Sequence, residues 1–260
     1  MQTADLTELK RAVDLLEKPN WVAKVANIIG VPIEWSIKKL PKRANKIISA
    51  AVNKSLLAAL KAAVLTMDRS RQHAASKWWH RLAVIVSGGA GGFFSLPGLA
   101  IELPISTTLM LRSIASIARS EGEDLRVRES QLACVQVFAL GGTRSTDDGS
   151  ESGYYAVRIG LARALSEVAE FIAEKGVIEE GAPVIVRLIA RIAARFEVIV
   201  SEKVAAEAIP VVGAVSGAAI NLAFITHFQQ MAKGHFIVRK LERKYGKDEV
   251  EKQYTRLLSK

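Results

Sequence analysis

Two long stretches with almost no charge constrain the fold of this 260-residue chain more than any other feature. Between Leu82 and Leu111 the only charged residue is Glu102, and Ala208 to Met231 carries no charge when His227 is neutral. Each stretch is longer than the roughly 20 apolar residues that a membrane-crossing helix needs. Such segments must be buried, either in a protein core or in a bilayer.

Glycine and proline interrupt both stretches. The first contains "SGGAGGFFSLPGLAIELP", and the second begins close to "IPVVGAVSGAA". Because small residues let helices approach closely and proline disrupts a helix interior, we predict two central apolar helical hairpins. Three interpretations remain open: a transmembrane or re-entrant hairpin, a buried hairpin that inserts conditionally, and a permanently buried core hairpin. The glycines predicted to be structural are Gly88, Gly89, Gly91, Gly92, Gly98 and Gly213.

The rest of the chain predicts an all-α fold. Apolar residues recur at helical spacing almost everywhere, and no stretch shows the convincing strict alternation of a strand. We predict one compact domain of about 9 to 11 helices. Within it, residues 1–81 form a basic amphipathic helical N-terminal region, and residues 82–260 form an apolar helical core region.

The positive charge is concentrated near the N-terminus. The chain has a net charge of +10, and residues 1–81 carry 15 Lys and Arg against 6 Asp and Glu, a net charge of +9. Lys and Arg beside Trp are typical of a segment at a membrane interface, although a solvated helix face with tryptophans in the core would also fit. The candidates for contact with anionic lipid are Trp21, Trp35, Lys42, Arg43, Lys46, Lys54, Lys61, Trp78 and Trp79. No nucleic-acid-binding motif is recognisable, so no specific nucleic-acid partner is predicted.

Four polar residues within or near the uncharged stretches are candidates for a ligand site. They are Glu102, Thr107, Asn221 and His227. Burying such groups is costly unless they are hydrogen-bonded. They could join two central helices by structural hydrogen bonds, or they could form the polar floor of a cavity for lipid or another apolar ligand.

The motifs of common enzymes are missing from the sequence. There is no zinc-protease motif, nucleophile elbow, phosphate loop or dinucleotide fingerprint. We therefore predict no catalytic residues, metal or cofactor, and an enzyme is the less favoured class. Cys134 is the only cysteine, which excludes an internal disulfide and fits a reducing compartment such as the cytoplasm. The N-terminal residues do not resemble a secretion signal.

Three segments together resemble the EcsC protein family. They are "GGAGGFFSLPGLAIELPISTTLMLRSIASIARSEGED", "ACVQVFALGG" followed by "YYAVR", and "IPVVGAVSGAAINLAFITHFQQMAKGHFIVRKLERKYG". The resemblance runs from about Pro19 to the C-terminus. The positions that match the family pattern are Gly88, Gly89, Gly91, Gly92, Gly98, Glu102, Pro104, Thr107, Pro210, Gly213, Asn221 and Arg239.

The resemblance implies a bacterial protein without an assigned biochemical activity, and it supplies no catalytic residues. The founding member of the family is encoded beside an ABC transporter that is linked to protein secretion. The leading hypothesis is a non-enzymatic protein at the inner face of the cytoplasmic membrane. It would bind lipid or an apolar ligand, and it would assist a transporter or secretion system.

Two alternatives belong to other classes. One is a soluble adaptor that binds a membrane transporter or another helical partner. The other is an unrecognised hydrolase that uses Glu102 or His227. The sequence does not set the oligomeric state.

Overall fold

The fold is all-α over the part of the chain that the structure describes, which confirms the predicted class. A computed structural model describes residues 1–18, 21–38, 40–41, 43–67, 96–142, 153–208 and 214–259. These residues form ten α-helices without a strand. The helices are α1 (Thr3–Glu17), α2 (Trp21–Ile29), α3 (Ile33–Lys38), α4 (Ala44–Thr66), α5 (Leu96–Ser120), α6 (Arg128–Gln136), α7 (Gly153–Lys175), α8 (Pro183–Glu207), α9 (Ala214–Tyr245) and α10 (Lys247–Leu258). A 3₁₀ turn, Val137–Ala139, follows α6.

The structure describes helices that flank the two predicted hairpins, whereas the turns themselves, within residues 82–95 and 209–213, lie outside the described residues. Leu96 to Pro104 forms the beginning of α5, which continues through Pro104 to Ser120. Pro104 cannot donate a backbone hydrogen bond, but Thr108 Oγ1 donates to its carbonyl oxygen, and Leu103 is fully buried beside it. Packing of the helix therefore outweighs the break that proline favours. Likewise, Ala214 to Asn221 forms the first turns of α9.

The other glycine and proline positions of these segments lie outside the described residues. They are Gly88, Gly89, Gly91, Gly92, Pro210 and Gly213. Gly98 lies in the first turn of α5.

Side-chain pairs show that α5 and α9 run in the same direction. Successive positions of α5 and of the turn after it meet successive positions of α9: Ser113 with Gln229, Glu121 with Lys233, and Glu123 with Arg239. Both helices therefore begin at the same end of the bundle. The N-terminal half of α5 lies beside the N-terminal half of α9.

The same end contains the start of α4 and the end of α8. Helix α4 packs along α5, and Arg119 near the end of α5 donates to the carbonyl oxygen of Met67, just beyond α4. Lys61 in the last part of α4 pairs with Glu180, which precedes α8, so α8 runs antiparallel to α4. We call this end, where α4, α5 and α9 begin and α8 finishes, the Lys203 end, after Lys203 of α8.

Helix α4 has the two faces that its sequence predicts. Ile48, Val52, Leu56 and Ala59, which recur at helical spacing, are fully buried. The basic residues of the opposite face lie at the surface or are half-buried. Among the described residues, α4 is the single helix long and apolar enough to cross a membrane, and half of its most apolar window is buried inside the protein.

Aromatic side chains fill the core between α8, α9 and the 3₁₀ turn. Phe138, Phe196 and Phe228 pack with ring centroids 5.2 to 5.5 Å apart. Cys134 on α6 is fully buried, and burial raises the pKa of its thiol. A buried thiol with a raised pKa is a core side chain rather than a nucleophile.

Gly234 is the point at which α9 touches α1, and an alanine there should destabilise the protein. A Cβ atom on Gly234 would lie 2.6 Å from Leu16 Cγ and 3.2 Å from the carbonyl oxygen of Ala12. Glycine to alanine in a helix normally adds stability, but this overpacking should lower the free energy of unfolding by about 1–2 kcal/mol. Urea titration followed by circular dichroism measures the change.

Gly160 of α7 is the matched control for Gly234. A Cβ atom there would have no described atom within 4 Å, so Gly160→Ala should raise stability by roughly 0.5–1 kcal/mol. Equal effects of the two substitutions would contradict the packing of α1 on α9.

Candidate functional site

A buried ion cluster lies at the Lys203 end. Lys203 is 1% exposed, and its Nζ lies 3.0 Å from a carboxylate oxygen of Glu102 on α5 and 3.0 Å from one of Glu207 on α8. The contact with Glu207 is close enough for an ion pair but poorly aligned for a hydrogen bond. With both carboxylates ionised, the cluster has a net charge of −1 where solvent is nearly excluded.

The pKa values in this cluster reflect burial and charge pairing together. Burial disfavours the ammonium of Lys203, but the carboxylates of Glu207 and Glu102 outweigh it and raise the pKa of Lys203. Burial also raises the pKa of Glu207, against the effect of the neighbouring ammonium. Lys203 is therefore held in its charged form as the counter-ion of two acids.

Trp21 connects α2 to this cluster from inside the core. Its Nε1 donates to Glu202 Oε2 over 2.8 Å, and its ring packs against Phe224 and His227. Trp21 is only 2% exposed, so its indole lies in the core, which corrects its assignment to a lipid-contacting segment. Burial raises the pKa of Glu202 to about 7, although the hydrogen bond from Trp21 acts the other way. The charge of Glu34 on α3 adds to the increase.

The partner of Glu102 is not one of the other polar candidates from the uncharged stretches. Glu102 pairs with Lys203, which no motif had singled out. The sequence did indicate that Lys203 would be buried. It lies on the same helical face as three apolar residues, Phe196, Ile199 and Val200. A lysine on an apolar face is buried only when an acid compensates it.

The remaining polar candidates lie along α5 and α9. Thr107 is fully buried, and its Oγ1 makes no hydrogen bond to a described residue. His227 is also buried, and its Nε2 has no partner among the described residues. Burial lowers the pKa of His227 to about 4, with a contribution from the charge of Lys24, so the ring is neutral at pH 7. Asn221 is half-buried.

Apart from Trp21, the basic and aromatic candidates of the N-terminal region differ in exposure. Arg43, just before α4, is exposed, as are Lys46 and Lys54 on α4, whereas Lys61 is half-buried and paired with Glu180. Trp35 on α3 is 48% exposed. Lys42, Trp78 and Trp79 lie outside the described residues.

The Lys203 end presents apolar and cationic side chains together. Ile101 and Ile105 on α5 and Leu222 on α9 are 61%, 46% and 59% exposed. Helix α3 packs on α8 close enough for Glu34 to influence Glu202, which places its exposed Trp35 and Ile37 at this end as well. Lys38, Arg43 and Lys46 are exposed cations at the same end among the described residues.

The geometry does not favour hydrolysis at Glu102 or His227. Glu102 is occupied by Lys203, and the Nε2 atom of His227 points at Gly141, where an added Cβ would lie 2.7 Å from it. Within the described ranges, no group of three or more His, Cys, Asp or Glu side chains could hold a metal ion. The arrangement instead combines a buried charge cluster with a surface that is both apolar and basic.

Comparison with known proteins identifies the family of this chain. No curated protein and no solved structure matches it. The profile of the EcsC protein family matches residues 5–241, nearly the whole chain. Arg239, one of the positions of the family pattern, forms two hydrogen bonds to Glu123 and so fixes the register of α9 against α5. The chain therefore belongs to the EcsC protein family.

Proposed function

We propose that this protein acts without catalysis at a membrane surface, where it binds anionic lipid through the Lys203 end. The observation that carries the proposal is the exposure of Ile101, Ile105 and Leu222 at the same end as Arg43 and Lys46. Apolar side chains can enter the boundary between headgroups and acyl chains, while Lys and Arg meet anionic headgroups at about 1 kcal/mol each.

The connectivity of the chain supports the same surface. Residues 82–95 lead directly into α5, and residues 209–213 link α8 to α9, so both uncharged stretches join the described helices at the Lys203 end. The described parts of both stretches, in α5 and α9, therefore begin at the same end as the basic start of α4. The proposal includes conditional insertion of these stretches or binding of an apolar ligand by them.

The cytoplasmic face of a bacterial inner membrane is the surface that we infer. That leaflet carries anionic lipid, which attracts Lys and Arg. The single cysteine also fits a reducing compartment. Assistance to a membrane transporter or secretion system would then be the cellular role.

Vesicle co-sedimentation with matched variants tests the proposal. Ile101→Asp together with Ile105→Asp should weaken binding to vesicles that contain anionic phospholipid by at least about tenfold, because two apolar contacts become charged. Leu65→Asp is the control, since Leu65 is also 61% exposed but lies at the opposite end of α4. It should bind like the unmodified protein.

Salt and an alkaline carbonate wash separate the modes of binding. Binding that high salt reverses would show peripheral attachment through the cations, and binding that survives the wash would show insertion. If the unmodified protein stayed in the supernatant with anionic vesicles at low salt, the proposal would be wrong, and an adaptor that binds a membrane protein directly would replace it.

A further inference from the structure

A groove lies far from the Lys203 end, between α6, α7, α9 and α10. Its volume is about 610 Å³. Helix α7 lines it with one face from Tyr155 to Glu170, a length of roughly 22 Å along the helix axis. Glu242 lies on the α9 side of the groove, 18 residues after Phe224, which packs against Trp21 near the Lys203 end. Along the axis of α9 the groove is therefore roughly 27 Å from Phe224.

The long wall of the groove is largely apolar and alternates large aliphatic residues with alanines. Ile159, Ala162, Leu165 and Ala169 follow each other on α7 at helical spacing. Ile159 is 63% exposed, although it is a large aliphatic residue. Ala162 and Ala169, which follow it along the same wall, allow the backbone of another helix to approach closely.

The charged groups at the floor of the groove neutralise one another. Arg158 donates two hydrogen bonds to the carboxylate of Glu242, over 2.6 and 2.9 Å. Arg239 donates two to Glu123, over 2.8 and 3.0 Å. Both arginines are therefore paired with a carboxylate, although Glu123 lies outside the groove lining and also pairs with Arg243.

The rim of the groove is acidic. Glu129 of α6, Glu170 of α7 and Glu251 of α10 are exposed and come from three different helices. Lys247 is the exposed cation among the lining residues. The rim has a net charge of −2, on a chain whose overall charge is +10.

We propose that this groove binds a Lys- and Arg-rich amphipathic helix of a partner protein. A helix laid in a groove makes contact through apolar residues spaced by three and four, which is the spacing of the wall on α7. Its cations would face the acids on the rim, and this complementarity favours a basic helix over an acidic one. A length of roughly 22 Å accommodates about 15 helical residues. The proposal does not depend on the membrane surface at the other end.

Other occupants fit the charges less well. A single-chain amphiphile with an anionic head would bring its charge next to three carboxylates, and nucleic acid would meet the same repulsion.

Fluorescence anisotropy with two synthetic peptides tests this proposal. One is a labelled 15-residue helix with Leu and Ala on one face and Lys on the other, and its counterpart carries Glu in place of each Lys. The full chain should bind the basic peptide at least about tenfold more tightly than the acidic one. Glu129→Lys together with Glu170→Lys should weaken binding of the basic peptide by a similar factor. The control, Glu174→Lys with Glu179→Lys, alters the net charge equally on exposed residues outside the groove and should leave binding within about twofold.

A second pair of variants tests the shape of the groove. Ala162→Trp fills it and should weaken binding of the basic peptide by about tenfold or more, whereas Ala173→Trp, at an exposed position of α7 outside the groove, should not. Equal affinity for the two peptides, or full binding by Ala162→Trp, would overturn the proposal. The same conclusion would follow if dodecanoate bound the groove and the basic peptide did not. Vesicle binding by Ala162→Trp should be unchanged, which separates this site from the lipid surface.

Discussion

Lys203→Met should lower the free energy of unfolding by about 3–5 kcal/mol. The substitution keeps the length of the side chain but removes the ammonium that faces Glu102 and Glu207. Two nearly buried carboxylates are then left without a counter-ion, and breaking a buried ion pair costs far more than breaking an exposed one. Urea titration at pH 7, followed by circular dichroism, measures the loss.

Two further variants locate the cause of that loss. Adding Glu102→Gln and Glu207→Gln to Lys203→Met should recover most of the stability, because no uncompensated charge remains buried. Lys61→Met is the surface control, since its partner Glu180 is 59% exposed, and it should cost less than about 1 kcal/mol. A similar loss from Lys203→Met and Lys61→Met would show that the cluster is open to water.

Stability should fall by roughly 3 kcal/mol between pH 4.5 and pH 8 because of Glu202 alone. Its pKa is about 7 in the folded protein against an ordinary value of 4.5, so in this interval the folded state holds a proton that the unfolded state has released. The resulting advantage of the folded state is complete below pH 4.5 and is lost as the pH rises to about 7. Glu202→Gln keeps an acceptor for Trp21 Nε1 and should remove this pH dependence.

The measurement is a set of urea titrations at pH 5, 6, 7 and 8 on both proteins. Acids with lowered pKa values, such as Glu123 at about 2, change protonation below this range. Burial lowers the pKa values of His227 and His235, which act in the opposite direction to Glu202 but are common to both proteins and cancel in the difference. The difference between the two proteins should grow with pH in favour of Glu202→Gln. Parallel profiles would mean that Glu202 is ionised in the folded protein throughout.

Sequence patterns predicted the helices well because their signals are local. The apolar face of α4, with Ile48 and Leu56 in the core, follows from spacing alone. The continuation of α5 through Pro104 does not, because the packing that offsets a lost hydrogen bond comes from other helices. Tertiary contacts therefore decide whether the helix continues through this proline.

The candidate site was harder to predict from the sequence than the helices were. Glu102 was recognised as a polar residue in an apolar stretch, but its pairing with Lys203, 101 positions along the chain, depends on how α5 and α8 align. Trp21 shows a second limit, because tryptophan is used both in cores and at membrane interfaces. Composition could not distinguish these two environments, whereas its hydrogen bond to Glu202 does.

The burial of Cys134 makes its thiol a reporter of local opening in this protein. A thiol that is fully buried and also the sole cysteine of the chain reacts with an aromatic disulfide reagent only when α6 separates from its neighbours. The colour released over time then reports how often that region opens, with no label added. The opening rates of the variants described above can be compared in this way under native conditions, without denaturant.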